Sequence, residues 1–93
     1  MKPKKIIFHY PVEVDGETFS EVTMRPGKAR DRLAAQKTVP VGSPEEAEPQ
    51  LFANLCEVPV KVVEELYDID YNQLMEAYQS FLVPPPKTSE KPA

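Results

Sequence analysis

Residues 6–24, IIFHYPVEVDGETFSEVTM, decide the fold. Ile6, Phe8, Tyr10, Val12 and Val14 occupy successive even positions, which is the period of a strand with one buried face. Asp15-Gly16 supplies a turn that tolerates positive φ, and Glu17 to Met24 is a second run rich in Thr, Phe and Val. The stretch is a β-hairpin. Two registers compete within it. A two-residue turn at Asp15-Gly16 sets Phe19 opposite Val12 but sends Val22 and Met24 to the other face. A three-residue loop, Asp15 to Glu17, pairs Tyr10 with Val22 and Phe8 with Met24; it gathers more apolar surface and is the expected register. A bulge would reconcile the two by bringing Phe19 inward as well. Pro11 has no amide to give to a ladder, so the first strand is an edge there. A lone hairpin is marginal in water, and the rest of the chain must cover it.

Downstream, proline sets the punctuation. Pro26 suits the first residue of a helix running to about Lys37, with Ala29, Leu33 and Ala34 as a narrow apolar stripe. Residues 38–43 carry no helical pattern. Ser43-Pro44-Glu45-Glu46 has the form of a capping box, but Pro49 denies a helix begun at Ser43 an interior amide, so the main helix starts near Pro49 after a single acidic turn. Leu51, Phe52, Leu55 and Cys56 share one of its faces, and Pro59 ends it and opens a third helix, where Val62, Val63, Leu66 and Tyr67 repeat the spacing. Asp68 to Asp70 reads as a turn, with Asp70 and Gln73 as a capping pair. The last helix, Tyr71 to about Val83, aligns Tyr71, Leu74, Met75, Tyr78 and Leu82. The expected architecture is therefore α+β: an N-terminal hairpin (6–24) and a helical part (26–83) of three or four short helices in a single small domain (1–83), then a disordered proline-rich tail (84–93).

Composition narrows the function. The chain has 93 residues, and 15 acidic against 11 basic side chains give a net charge of -4, which argues against binding by phosphate neutralisation. One cysteine allows no intrachain disulfide. After the basic start only Ile6, Ile7 and Phe8 are consecutively apolar, too few for a secretory core or a membrane span. His9 and Cys56, the sole residues of their types, lie on different expected elements, so no nucleophile-base pair, zinc site or cofactor is expected. The acidic Glu45, Glu46 and Glu48 suit a helix N-terminus without any cation. Arg25, Lys28, Arg30, Arg32 and Lys37 make residues 25–37 locally basic, and a small nucleic-acid-binding regulator using that helix is the alternative reading. The stripe Tyr71, Met75, Tyr78 and Leu82 is the candidate partner-binding surface, because Met and Tyr suit adaptable protein interfaces and so short a chain has little else to cover both sides of its last helix.

The order of these elements is itself distinctive. A glycine-turn hairpin runs into Val22-Thr-Met-Arg-Pro-Gly-Lys-Ala-Arg-Asp31; an acidic linker leads to Leu51-Phe-Ala-Asn-Leu-Cys-Glu-Val-Pro59 and then Val63-Glu-Glu-Leu-Tyr-Asp-Ile-Asp-Tyr-Asn-Gln-Leu74. Over about residues 9–83 this resembles the small tail assembly chaperones of Mu-like and related contractile-tailed bacteriophages. It departs from their pattern at Val58-Pro59-Val60-Lys61, where a Ser-Pro-Glu type of start is expected. The resemblance implies a non-catalytic protein of the host bacterial cytoplasm, absent from the mature virion. It further implies binding to the tape measure protein, keeping it soluble during tail assembly, with the tail tube protein as a second candidate partner.

Overall fold

In the computed structural model, which describes residues 2–84, β1 (Lys4–Val14) and β2 (Glu17–Met24) form an antiparallel pair. The turn has two residues, Asp15 and Gly16, both at positive φ (53° and 81°). That conformation matches the twist of the flanking strands. Val12 faces Phe19 and Val14 faces Glu17, so the expected three-residue loop is corrected to the shorter turn.

A large bulge then changes the register. Beyond it Ile7 faces Glu21, Ile6 faces Val22 and Lys4 faces Met24, which leaves Phe8, His9, Tyr10 and Pro11 opposite Ser20 alone. Near the turn, even positions of β1 pair with odd positions of β2; past the bulge, even pairs with even. Paired residues share a face, so this switch is what lets Val22 and Met24 join Ile6 and Phe8 inside while Phe19 packs near Val12. Tyr10 is the exception to the even-position rule, lying 55% exposed at the bulge.

Bulged residues lose their ladder partners, and a polar backbone group away from water must be satisfied elsewhere. Asp70 does this. Its side chain is fully buried, and it accepts the His9 amide (2.8 Å) and the Tyr10 amide (2.9 Å), one on each carboxylate oxygen. The His9 ring donates from Nδ1 at 3.0 Å; an ionised carboxylate only accepts, so the proton sits on that nitrogen. Gln73 Nε2 donates to Asp70 Oδ1 (2.8 Å) and to the Ile7 carbonyl (2.9 Å). The following residue, Pro11, has no amide to satisfy. Asp70 was expected to cap a helix, but α4 (Asp68–Phe81) begins before it, from the extended Tyr67, and this frees the carboxylate to reach the hairpin.

Of the four helices among the described residues, the last three cover the sheet and the first packs on the second. α1 (Ala29–Gln36) is shorter than the expected 26–37, and its stripe Ala29, Leu33 and Ala34 faces outward; the residue it buries is Ala35. Its entry is held by Asp31, which accepts from the Lys28 amide (2.8 Å) and from both Arg25 guanidinium nitrogens (2.9 and 3.0 Å). A 3₁₀ turn at Pro44–Ala47 precedes α2 (Glu48–Cys56), as Pro49 required, although Ser43 makes no side-chain cap. Leu51, Phe52, Ala53, Leu55 and Cys56 are all buried. The Arg25 amide donates to the Leu55 carbonyl (3.1 Å), tying the end of β2 to the end of α2.

The core is divided. The larger part joins Ile6, Phe8, Val22 and Met24 to α2, Val63, Leu74 and Ala77; the smaller packs Val62 of α3 (Val60–Glu65) onto Val12 and Val14 near the hairpin tip. Tyr67, expected on the buried face of α3, is instead 63% exposed, because the chain leaves α3 at Leu66 with extended backbone. The tail expected to be disordered, from residue 85 onward, lies outside the described residues. No helix among the described residues is long and apolar enough to cross a membrane.

Two expectations follow for stability. Replacing Asp70 with Ala strands the His9 and Tyr10 amides and should cost about 3 kcal/mol in urea unfolding. Burial pushes the Asp70 carboxyl up, but the amides of His9 and Tyr10, the His9 ring and Gln73 outweigh it and hold the group down at about 2, against 3.8 ordinarily. The side-chain bond from Arg25, with the Lys28 amide, likewise lowers Asp31 to about 2. Because both folded values lie below the unfolded ones, their stabilisation is complete above about pH 4 and is lost as pH falls towards 2. Thermal melts should drop over that window, and Asp70→Asn should flatten the fall, leaving the share of Asp31. A separate gain is available at Glu57, which ends α2 in the left-handed conformation (φ 58°). Glu57→Gly should raise stability by about 0.5 kcal/mol in the same urea assay.

Candidate partner-binding surface

The rings on α4 meet α2 around Phe52. Tyr71 and Tyr78 lie two helical turns apart and each stacks obliquely on the fully buried Phe52, with centroids at 5.6 Å. Their hydroxyls are tethered outward in opposite senses. Tyr71 donates to Glu48 Oε1 at 2.6 Å, whereas the Tyr78 hydroxyl accepts from the Arg32 guanidinium of α1. Burial, and then the Glu48 carboxylate, push the Tyr71 phenol well above its usual range, so this hydroxyl stays a neutral donor.

Tyr78 forms one wall of a cleft of about 290 Å³ between α1, the start of α2 and α4. Arg32, Ala35 and Gln36 line its α1 side; Ala47, Glu48 and Leu51 line the other. The cleft continues past Arg32, Leu51 and Tyr78 to Gly27, Ala29 and Leu82. The backbone approaches closely at Gly27, where a Cβ would sit 3.3 Å from Leu55 Cδ1, a tight contact, and 3.7 Å from the Tyr78 ring. The floor is apolar and the rim carries Arg32 opposite Glu45 and Glu48.

Of the four residues read as a stripe, Tyr78 and Leu82 thus border one cleft. Tyr71 flanks the same Phe52 on the side of Glu48, and Met75 is half-buried against the core. Leu82 is 59% exposed, and Leu33 on α1 is exposed as well. Sequence reasoning missed the opposite wall. Leu51 reads as core, and nothing local signals that Arg32 is drawn to a tyrosine 46 positions later.

Within the basic segment Arg25 is ion-paired with Asp31, while Arg32 keeps its charge and donates a hydrogen bond to the Tyr78 hydroxyl. Cys56 is buried, and burial pushes its thiol up to about 12, away from the thiolate that reactivity needs. Among the described residues no group of three or more His, Cys, Asp or Glu side chains is placed to hold a metal ion.

No curated protein and no solved structure matches the chain significantly. A family model does, over residues 5–83, taking in the hairpin, all four helices and the cleft. The chain belongs to the family of phage tail assembly chaperone proteins, described as E, or 41 or 14.

Proposed function

We propose that this chaperone binds the tape measure protein of a Mu-like, contractile-tailed phage in the host cytoplasm, keeps it soluble while the tail is assembled, and is not retained in the virion. Membership of the tail assembly chaperone family supports protein partners in that process. The observation that carries the reading further is the cleft whose mainly apolar part is lined by Ala35, Ala47, Leu51 and Tyr78 and which continues to Ala29 and the exposed Leu82. Tape measure proteins are long and helical and expose apolar stripes until a tube encloses them. A groove with an apolar floor accepts one face of such a helix, with anchors at i, i+3 or i+4 and i+7. Charges of both signs at the rim, and a net charge of -4, keep the complex in solution.

The role needs no catalysis by the chaperone. Tyr71 supports the anchor positions through Phe52 and Met75 packs against the core beside it, while Tyr78 and Leu82 make the contact. The nucleic-acid alternative is weaker, since Arg25 and Arg32 are engaged within the fold.

Co-expression with the long helical protein encoded just downstream tests the reading. The partner should become soluble and co-purify with the chain. Leu82→Asp alters an exposed side chain and should leave the melting temperature nearly unchanged while lowering co-purification at least tenfold; Tyr71→Phe should have little effect. An insoluble partner, or recovery indifferent to Leu82→Asp, sinks the proposal.

A further inference from the structure

A second surface, at the other end of α4, has a different chemistry. The Tyr10 and Tyr67 rings lie together at the surface, centroids 5.2 Å apart and inclined at 49°. Beside them a shallow cleft of about 420 Å³ is lined by Pro11, Val12, Leu66 and the carboxylates Glu13 and Glu65. The pair is held in place from behind. Tyr10 is turned out by the bulge, its amide fixed on Asp70, and Tyr67 is set by the extended backbone that opens α4. Rings held in advance lose little freedom on binding.

Adjacent exposed aromatic rings next to carboxylates suit one class of ligand: a proline run in polyproline II conformation that also carries a cation. The prolines lie across the rings, and the cation meets the carboxylates and the ring faces. The chain's sequence contains a proline run followed by cations, Pro84-Pro85-Pro86-Lys87, with Lys91-Pro92 beyond it.

We propose that the proline-lysine segment 84–92 of a second copy docks on the Tyr10–Tyr67 surface. Its own copy cannot supply the triproline. Tyr67 precedes α4 and Pro84 follows it, so a helix of 14 residues, about 20 Å long at 1.5 Å per residue, separates the two. Three residues, even fully extended, span only about 10 Å, half of that length. Complementary charge favours the exchange: Lys87 and Lys91 belong to a segment whose only carboxylate side chain is Glu90, and the receiving cleft presents Glu13 and Glu65 with Asp68 next to Tyr67. This surface is separate from the Tyr78 cleft, and the proposal does not rest on the tape measure reading.

Sedimentation of the full chain up to about 1 mM, the weak end of specific association, tests it. The chain should self-associate, and added salt should weaken the association because the paired charges lie at the surface. Lys87→Glu and Glu65→Lys should each weaken it at least tenfold, and the double exchange should restore most of the loss. A Tyr67→Ala chain keeps its segment but lacks the surface, whereas Lys87→Glu keeps the surface but has a defective segment. Each should be monomeric alone and associate when mixed. Wild-type chain that stays monomeric throughout, or association untouched by Lys87→Glu and Glu65→Lys, overturns the proposal.

Discussion

The structure depends on one buried carboxylate. Asp70 has no strand to pair with and no helix end to cap; it satisfies the two amides that the bulge leaves without ladder partners. Without that bond the bulge would carry unpaired amides next to the core, at roughly 1–3 kcal/mol for each. Without the bulge the hairpin would keep one register, and either Phe19 or the pair Val22 and Met24 would face solvent. A single side chain therefore lets both halves of β2 turn apolar residues to the covered side of the sheet.

The same clamp accounts for what was and was not legible in the sequence. Strand alternation, the Asp15-Gly16 turn and the proline-defined helix ends are local signals, and they place the hairpin and the helices close to where they are observed. The Asp15-Gly16 turn sets the register at the tip, but the closing of the bulge is not local: Asp70 satisfies its amides, and nothing near Tyr10 or Pro11 in the chain announces a carboxylate arriving from the last helix. Tyr10 and Tyr67 fit an apolar pattern and yet are exposed, Tyr10 because it lies in the bulge and Tyr67 because the chain leaves α3 in extended conformation. At Leu33 the failure differs. α1 buries only Ala35, so its apparent stripe had no partner surface in the chain.

Of the stripe Tyr71, Met75, Tyr78 and Leu82, only Tyr78 and Leu82 border the cleft. Spacing on a helix reveals which residues share a face, and that part holds for α4. It does not reveal which neighbour stands across from that face. Here α1 stands opposite, brought there by the clamp of Arg25 on Asp31 and by the close approach at Gly27. The cleft is built from three chain segments, and family membership gives it a setting in tail assembly without naming its occupant.

The carboxylate that seals the bulge lies 61 positions beyond the His9 amide it receives. During synthesis the hairpin leaves the ribosome before the last helix and must wait for that helix before its irregular middle can be closed. Local pairing near Asp15-Gly16 forms early, whereas the register beyond the bulge is fixed late, by a contact of high sequence separation. The last helix is thus both a wall of the proposed binding cleft and the element whose arrival completes the fold.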